Sequence, residues 1–192
     1  MLFQQNHKGT SLSISINNIL TNKLFGIFTF SILMAIAAQV SVPTKPVPFT
    51  LQTMMVILAG AFLGSKNGAY SQLLYLFLGV IGFPVFADAS FGIGKIFGPT
   101  GGYLLAFPIG AFLTGFIVER TNKYFLIVLA MFISEIFIVI FGTIYLNLFF
   151  VHNLNEALKV GAAIFSFWTV VKVFLAATIY FYINKISFMS RI

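Results

Sequence analysis

Long apolar blocks separated by short polar breaks set the pattern of this chain. Residues 1–22 are polar, rich in Ser and Asn, and lack the compact charged and apolar regions of a secretory signal, which predicts a short cytoplasmic tail. The first apolar block, 24–42, is too long for a signal core and is expected to stay as an uncleaved helix. Pro43, Pro46 and Pro48 then hold the next stretch extended, because proline lacks an N–H and drives its preceding residue out of the helical region. Apolar segments resume at 49–63 and 69–81, with a turn predicted at Gly64-Ser65-Lys66-Asn67-Gly68. Further blocks follow at 103–118, closed by the polar turn 119–123, at 124–150 and at 157–184.

A hydrocarbon core of about 30 Å takes ~20 residues of helix to cross. The pattern therefore predicts an all-α integral membrane protein of six transmembrane helices, with 1–192 forming a single membrane domain. The blocks 49–63 and 69–81 are short for that task, so their flanking loops must enter the membrane region or the helices must extend into them. Irregular backbone survives at such depth only where protein buries it or a cavity hydrates it. The short pair thus points to a cavity bounded by the loop 43–50 and by 82–102, the longest glycine-rich break in the chain. There Gly92, Gly94, Gly98, Gly101 and Gly102 are expected to form pocket walls by letting backbone approach a ligand closely.

Composition supports this picture, since 59% of residues are hydrophobic and 8% charged, against about 25% charged in a soluble domain. The net charge of +7 comes from singly scattered bases with no basic helix or aromatic-interleaved patch, which argues against nucleic acid as a partner. Cysteine is absent and His7 and His152 lie far apart outside the blocks, so thiolate chemistry is excluded and metal chemistry has almost no ligands. With the N-terminus inside, Lys8, Lys23, Lys66, Arg120, Lys123, Lys185 and Arg191 are cytoplasmic, against Lys45, Lys95 and Lys159 outside. That imbalance fits the positive-inside rule, places both termini in the cytoplasm, and turns both proline- and glycine-rich loops outward from a multi-pass protein of the cell membrane.

Two charges fall deep in apolar blocks: Glu135 in the fifth and Lys172 near the middle of the sixth. Lys172 stands about 18 Å or more from either end at helical rise, beyond the reach of a snorkelling stem. Such charges are expensive, and two readings stay open: a structural ion pair between consecutive helices, or a lysine that faces the cavity and contacts a ligand. No phosphate loop, dinucleotide fingerprint, carboxylate pair or Ser-His-Asp set accompanies them, and Asp88 is the sole aspartate, so no enzyme activity or cofactor is expected.

Three blocks carry a family resemblance: V-P-F-T-L-Q-T at 47–53, G-F-P-V-F-A at 82–87 and G-P-T-G-G-Y-L at 98–104. In this order, between these segments, they resemble the signature loops of BioY proteins, the biotin-binding S components of energy-coupling factor transporters. The resemblance covers about residues 24–184, most loosely in the fifth block. It implies an S-component-like bundle with its ligand cavity toward the outer face, and a substrate-binding subunit for biotin uptake. It also implies a separate transmembrane coupling subunit and two ATPases as partners, with membrane lipid around the bundle and no cofactor. The last helix of the family carries Pro-Gly-Asp-x-x-Lys, where this chain reads Phe167-Trp168-Thr169-Val170-Val171-Lys172. The lysine matches, Thr169 stands in place of the aspartate, and Glu135 across the hairpin is expected to supply the missing carboxylate.

Biotin joins a cyclic urea, an apolar sulfur ring and a chain that ends in a carboxylate. On this resemblance Lys172 and Thr169, with Gln52 or Asp88, are expected to serve the urea, while Phe86, Trp168 and Tyr103 wall the ring. Lys95 is expected to meet the carboxylate, with Gly98, Gly101 and Gly102 shaping the wall. Ser31, Ala35 and Ala38 share a face of the first helix and are candidates for contact with the coupling subunit, internal packing being the alternative. Bland roles also stand open for Phe86 and Trp168 as packing or interface aromatics, Asp88 as a solvated or capping residue and Gln52 as a helix-start polar group. An S component for another vitamin and a non-transporting scaffold subunit are the competing functions.

Overall fold

The computed structural model describes residues 22–189, and for 162–167 and 185–189 the backbone alone; the expected tail up to residue 21, with His7 and Lys8, and Arg191 lie outside the described residues. Helix α1 (Lys23–Gln39) begins where Asn22 Oδ1 accepts from the Phe25 N–H at 3.2 Å, satisfying one of the free donors of a helix start. Two short strands follow, β1 (Ser41–Val42) and β2 (Phe49–Thr50), paired antiparallel with Ser41 opposite Thr50. The prolines fill the loop between them, which Thr44 ties off by donating its hydroxyl to the Val47 carbonyl at 2.6 Å.

Helix α2 (Gln52–Val80) reverses direction at Gly64, whose φ of 78° and ψ of 179° lie outside the helical region. Residues 52 and 75 would stand about 35 Å apart in a straight helix, yet Gln52 Nε2 donates to the Tyr75 hydroxyl at 2.7 Å. The two arms therefore run antiparallel. The five-residue turn expected at 64–68 is corrected to a single residue, and Ser65 to Gly68 are already helical. Gly64 adopts a φ that side chains rarely tolerate, and Glu119 then caps the second arm, accepting from the Ser65 N–H at 2.7 Å and the Ser65 hydroxyl at 3.0 Å.

The chain continues through a 3-10 turn (Ala87–Ala89) and α3 (Ile93–Ile96) into α4 (Gly101–Val118), which carries Pro108. Helix α5 (Tyr124–Leu146) runs on through a π-helical turn, Asn147–Val151. The polar connection expected at 151–156 contains the start of α6 (Leu154–Leu158), capped by Asn153, before a second π turn, Lys159–Ala163, leads into α7 (Ile164–Met189). Six long helical segments thus form the bundle among the described residues, with the two arms of α2 counted separately.

Two apolar clusters fill the interior. One, around Met34, Val56, Tyr75, Phe86, Tyr103 and Phe107, lies toward the loops 43–50 and 82–100. The other gathers Phe30, Ile57, Met131, Val173 and Ala176. Large apolar side chains also cover the outside, among them Phe28, Ile32 and Ile36 of α1 and Ile136 and Ile140 of α5. A soluble monomer rarely exposes contiguous apolar surface of this kind. Among the described residues Gly101–Val118 and Tyr124–Val151 are long and apolar enough to cross a membrane alone, and Lys23–Gln39 and Trp168–Asn184 are shorter apolar runs.

Candidate ligand-binding cavity

A cavity of about 290 Å³ opens between the β1–β2 loop, the segment 86–100, the start of α2 and the start of α4. That is near the lower end of the ~300–1,000 Å³ typical of small-molecule sites. Both loops expected to bound a cavity line this one.

The roof is fastened from both sides. Gln39, at the end of α1, donates from Nε2 to the Phe86 carbonyl at 3.0 Å and accepts from the Ala89 N–H at 2.9 Å. Asp88 sits at φ 58°, a left-handed conformation that aspartate tolerates better than most side chains. Its Oδ1 accepts from the Ser41 hydroxyl at 3.3 Å, joining the turn to β1. Asp88 lines the rim and is exposed. Gln39 lies outside the sequence-based site, since nothing in its local pattern shows that it reaches residues nearly fifty positions away.

The floor is polar and internally bonded. Thr50 donates from Oγ1 to Gln52 Oε1 at 2.9 Å, and the Gln52 amide in turn donates to Tyr75. Thr53, one residue on, lines the cavity and accepts a hydrogen bond from the Lys172 ammonium. Lys172 Nζ lies 3.6 Å from Glu135 Oε1 and 5.0 Å from the centre of the Phe49 ring. Aromatic walls come from Phe86, which meets Tyr75 edge-on at 5.5 Å, and from Tyr103 and Phe107 of α4. Thr53 and Phe107 are additions to the sequence-based site. Thr53 lies within the 47–53 block, whose spacing alone does not show which way each residue points, and Phe49 of the same block packs behind it against Lys172 and Trp168.

Of the anticipated site residues, Gln52, Phe86, Asp88, Lys95 and Tyr103 line the cavity. Several others take different positions. Lys172 stands behind Thr53 rather than at the surface of the cavity, and Glu135 is buried against Lys172. Thr169 is buried one turn before Lys172, whereas Trp168 is half exposed and packs on Phe49, with ring centres 5.6 Å apart. Tyr103 offers the cavity its ring, because its hydroxyl donates to the Gly161 carbonyl at 2.8 Å and stands 3.2 Å from Thr143 Oγ1.

The reading of Gly98, Gly101 and Gly102 as pocket walls is also corrected. A Cβ on Gly101 would fall 1.8 Å from the Ile96 carbonyl oxygen and one on Gly102 would fall 2.3 Å from Tyr145 Cβ, so both are demanded by close packing of α4. Gly98 faces the Gly94 carbonyl in the same segment, and Gly92 and Gly94 border open space. The small-residue face of α1 turns inward. Ser31 is buried and donates to the Ser71 carbonyl at 2.6 Å, Ala38 is fully buried, and Ala35 packs against the cavity-side core. An external coupling subunit cannot reach Ser31 or Ala38 while α1 keeps these contacts, and their small size serves approach between α1 and α2.

Thr50, Gln52 and Tyr75 are bonded to one another beneath the cavity, whereas the Lys45 and Lys95 ammonium groups that also line it pair with no carboxylate among the described residues. Among the described residues no cluster of three His, Asp or Glu comes together to hold a metal. The arrangement offers a ligand neutral polar, aromatic and cationic contacts.

Fold and cavity together define a class, the helical binding protein whose site lies beneath loops laid over short, reversing helices. The fold matches the crystal structure of the S-component for biotin from an ECF-type ABC transporter, with a TM-score of 0.81 and 27% identity over 88% of this chain and 94% of that one. The family model described as the BioY family matches residues 7–188, and the chain belongs to that family. It is 37% identical over 162 residues to the biotin transporter BioY of Thermotoga maritima, covering 84% of this chain and 94% of the relative. It is 55% identical over 86 residues to a probable biotin transporter BioY of Pyrococcus horikoshii, covering 45% of this chain and 53% of that one.

Proposed function

We propose that this chain is the substrate-binding subunit of a vitamin-uptake transporter, that it captures biotin from outside, and that it is not an enzyme. The observation that carries this reading is the set of chemistries lining one cavity: buried neutral polar groups at Thr50, Gln52 and Thr53, buried aromatic rings at Phe86, Tyr103 and Phe107, and an exposed ammonium at Lys95. The urea, apolar ring and carboxylate of biotin match these three chemistries. The relatives named as biotin transporters support the same ligand.

In this reading the urea meets the floor, where Thr53 is positioned and polarised by Lys172 behind it, and Glu135 balances the lysine charge. The fused ring lies between Phe86 and Tyr103. Lys95 contacts the carboxylate, and Asp88 holds the roof to β1. Thr169 and Trp168 support the Lys172 turn from outside the cavity. The six long segments span the cell membrane with both termini cytoplasmic and the cavity outward, and lipid covers their apolar faces. A transmembrane coupling subunit with two ATPases supplies the energy that carries the ligand inward.

Calorimetric titration of the purified protein in detergent with biotin and a panel of vitamins tests the reading. Submicromolar, stoichiometric binding of biotin is expected. Preference for another vitamin would reassign the ligand, and no binding of any of them would favour a scaffold role.

A further inference from the structure

We propose that Lys45 is a second anion-binding residue of this cavity, so that the carboxylate of the ligand is held at the mouth between Lys45 and Lys95. The inference rests on the functional reading above and extends it to a residue on the opposite loop. Lys45 belongs to the proline loop between β1 and β2, and Lys95 to α3, yet both line the same cavity and both are exposed. The ion pairs found among the described residues are Arg120 with Glu119 and Lys172 with Glu135, so neither rim lysine is matched by a carboxylate. Asp88, the one acid lining the cavity, already accepts from Ser41.

The segment that carries Lys95 is tied down by the Gly92 N–H on the Gly79 carbonyl at 2.8 Å and by the Tyr145 hydroxyl on the Ile96 carbonyl at 3.4 Å. Thr44 ties off the proline loop through Val47, and the Ser41–Asp88 bond joins the β1 side to the roof. Two like charges over one opening repel each other, and an anion between them removes that cost. Before binding they raise the local concentration of anions and speed their arrival, an effect that weakens as salt screens it. The floor differs, because Thr50, Gln52 and Tyr75 are neutral and bonded to one another, and the Lys172 ammonium behind Thr53 already faces the Glu135 carboxylate at 3.6 Å. An anionic ligand therefore enters with its charged end last.

The test compares the unaltered protein with Lys45→Gln, Lys95→Gln, the double variant and Lys45→Arg, using biotin and its uncharged carboxamide. Affinity and association rate are followed as ionic strength rises. Each single Gln variant is expected to weaken biotin by about three- to tenfold, mostly through slower association. The loss should shrink in high salt, Lys45→Arg should restore binding, and carboxamide affinity should stay unchanged. Lys45→Gln with native biotin affinity and native salt dependence would overturn the inference while leaving the functional reading intact. Equal loss of biotin and carboxamide in Lys45→Gln would overturn it too, assigning Lys45 to loop packing. An unaltered protein that binds neither compound would overturn the functional reading and the inference with it.

Discussion

Lys172 Nζ lies 3.6 Å from Glu135 Oε1 in the interior, between an apolar cluster that includes Met131 and one that includes Ile138. A single charge there would carry a desolvation cost of several kcal/mol, and the pair offsets it on both sides. Because Lys172 also donates to Thr53, the pair is linked to the cavity through one hydroxyl. The arrangement is thus that of the structural ion pair, with a lysine that supports the cavity floor through Thr53 instead of facing the cavity itself.

Breaking the pair from either side should be costly. Glu135→Gln or Lys172→Met is expected to lower stability by about 3–5 kcal/mol, and the double variant to recover most of that loss. Thermal unfolding in detergent provides the comparison. A double variant no more stable than the singles would mean that the two charges do not compensate each other.

Thr53→Val keeps the shape of the side chain and removes its hydroxyl. The Lys172 ammonium then lacks its acceptor and the cavity floor lacks a polar group. Biotin affinity should fall about two- to tenfold, in line with ~0.5–1.5 kcal/mol for a hydrogen bond between neutral groups. Unchanged affinity in titration calorimetry would remove Thr53 from the floor.

The reversal of α2 depends on Gly64 and Glu119 together. Glu119→Ala removes the acceptor for the Ser65 N–H and hydroxyl and should cost about 1 kcal/mol, as losing a helix cap does. Gly64→Ala should cost more, about 1–3 kcal/mol, since it forces a side chain into left-handed backbone. The new Cβ would also stand 2.2 Å from Glu119 Oε1. Unfolding midpoints of the two variants would show the order, and a harmless Gly64→Ala would be evidence against the sharp reversal.

For Tyr103 the hydroxyl and the ring should separate cleanly. Tyr103→Phe loses the bond to the Gly161 carbonyl and should cost about 0.5–1.5 kcal/mol of stability with little change in biotin affinity. Tyr103→Ala, which removes the wall itself, should weaken binding strongly. Equal affinity losses in both variants, measured by titration, would show that the hydroxyl contacts ligand after all.

Much of this fold was legible along the chain. Apolar blocks and proline- or glycine-rich breaks mark where helices run and where loops cross, because both signals are local properties of the backbone and its solvent. The loops 43–50 and 82–102 could thus be matched to a cavity from sequence, and Gln52, Phe86, Asp88, Lys95 and Tyr103 with it. The extent of the turn in α2 was not legible, because it is set by Glu119, a residue 54 positions beyond Ser65.

The same limit governs the side chains that moved. Sequence by itself determined the class of fold, the family and the existence of buried charge, through composition, block length and motif. Tertiary structure decided that Ser31 and Ala38 face α2, that Gly101 and Gly102 admit Ile96 and Tyr145, and that Lys172 stands one residue behind the cavity. In a helix that is apolar all round, no polar stripe marks the inward face. Its rotation about its own axis is set by contacts with segments far away in sequence.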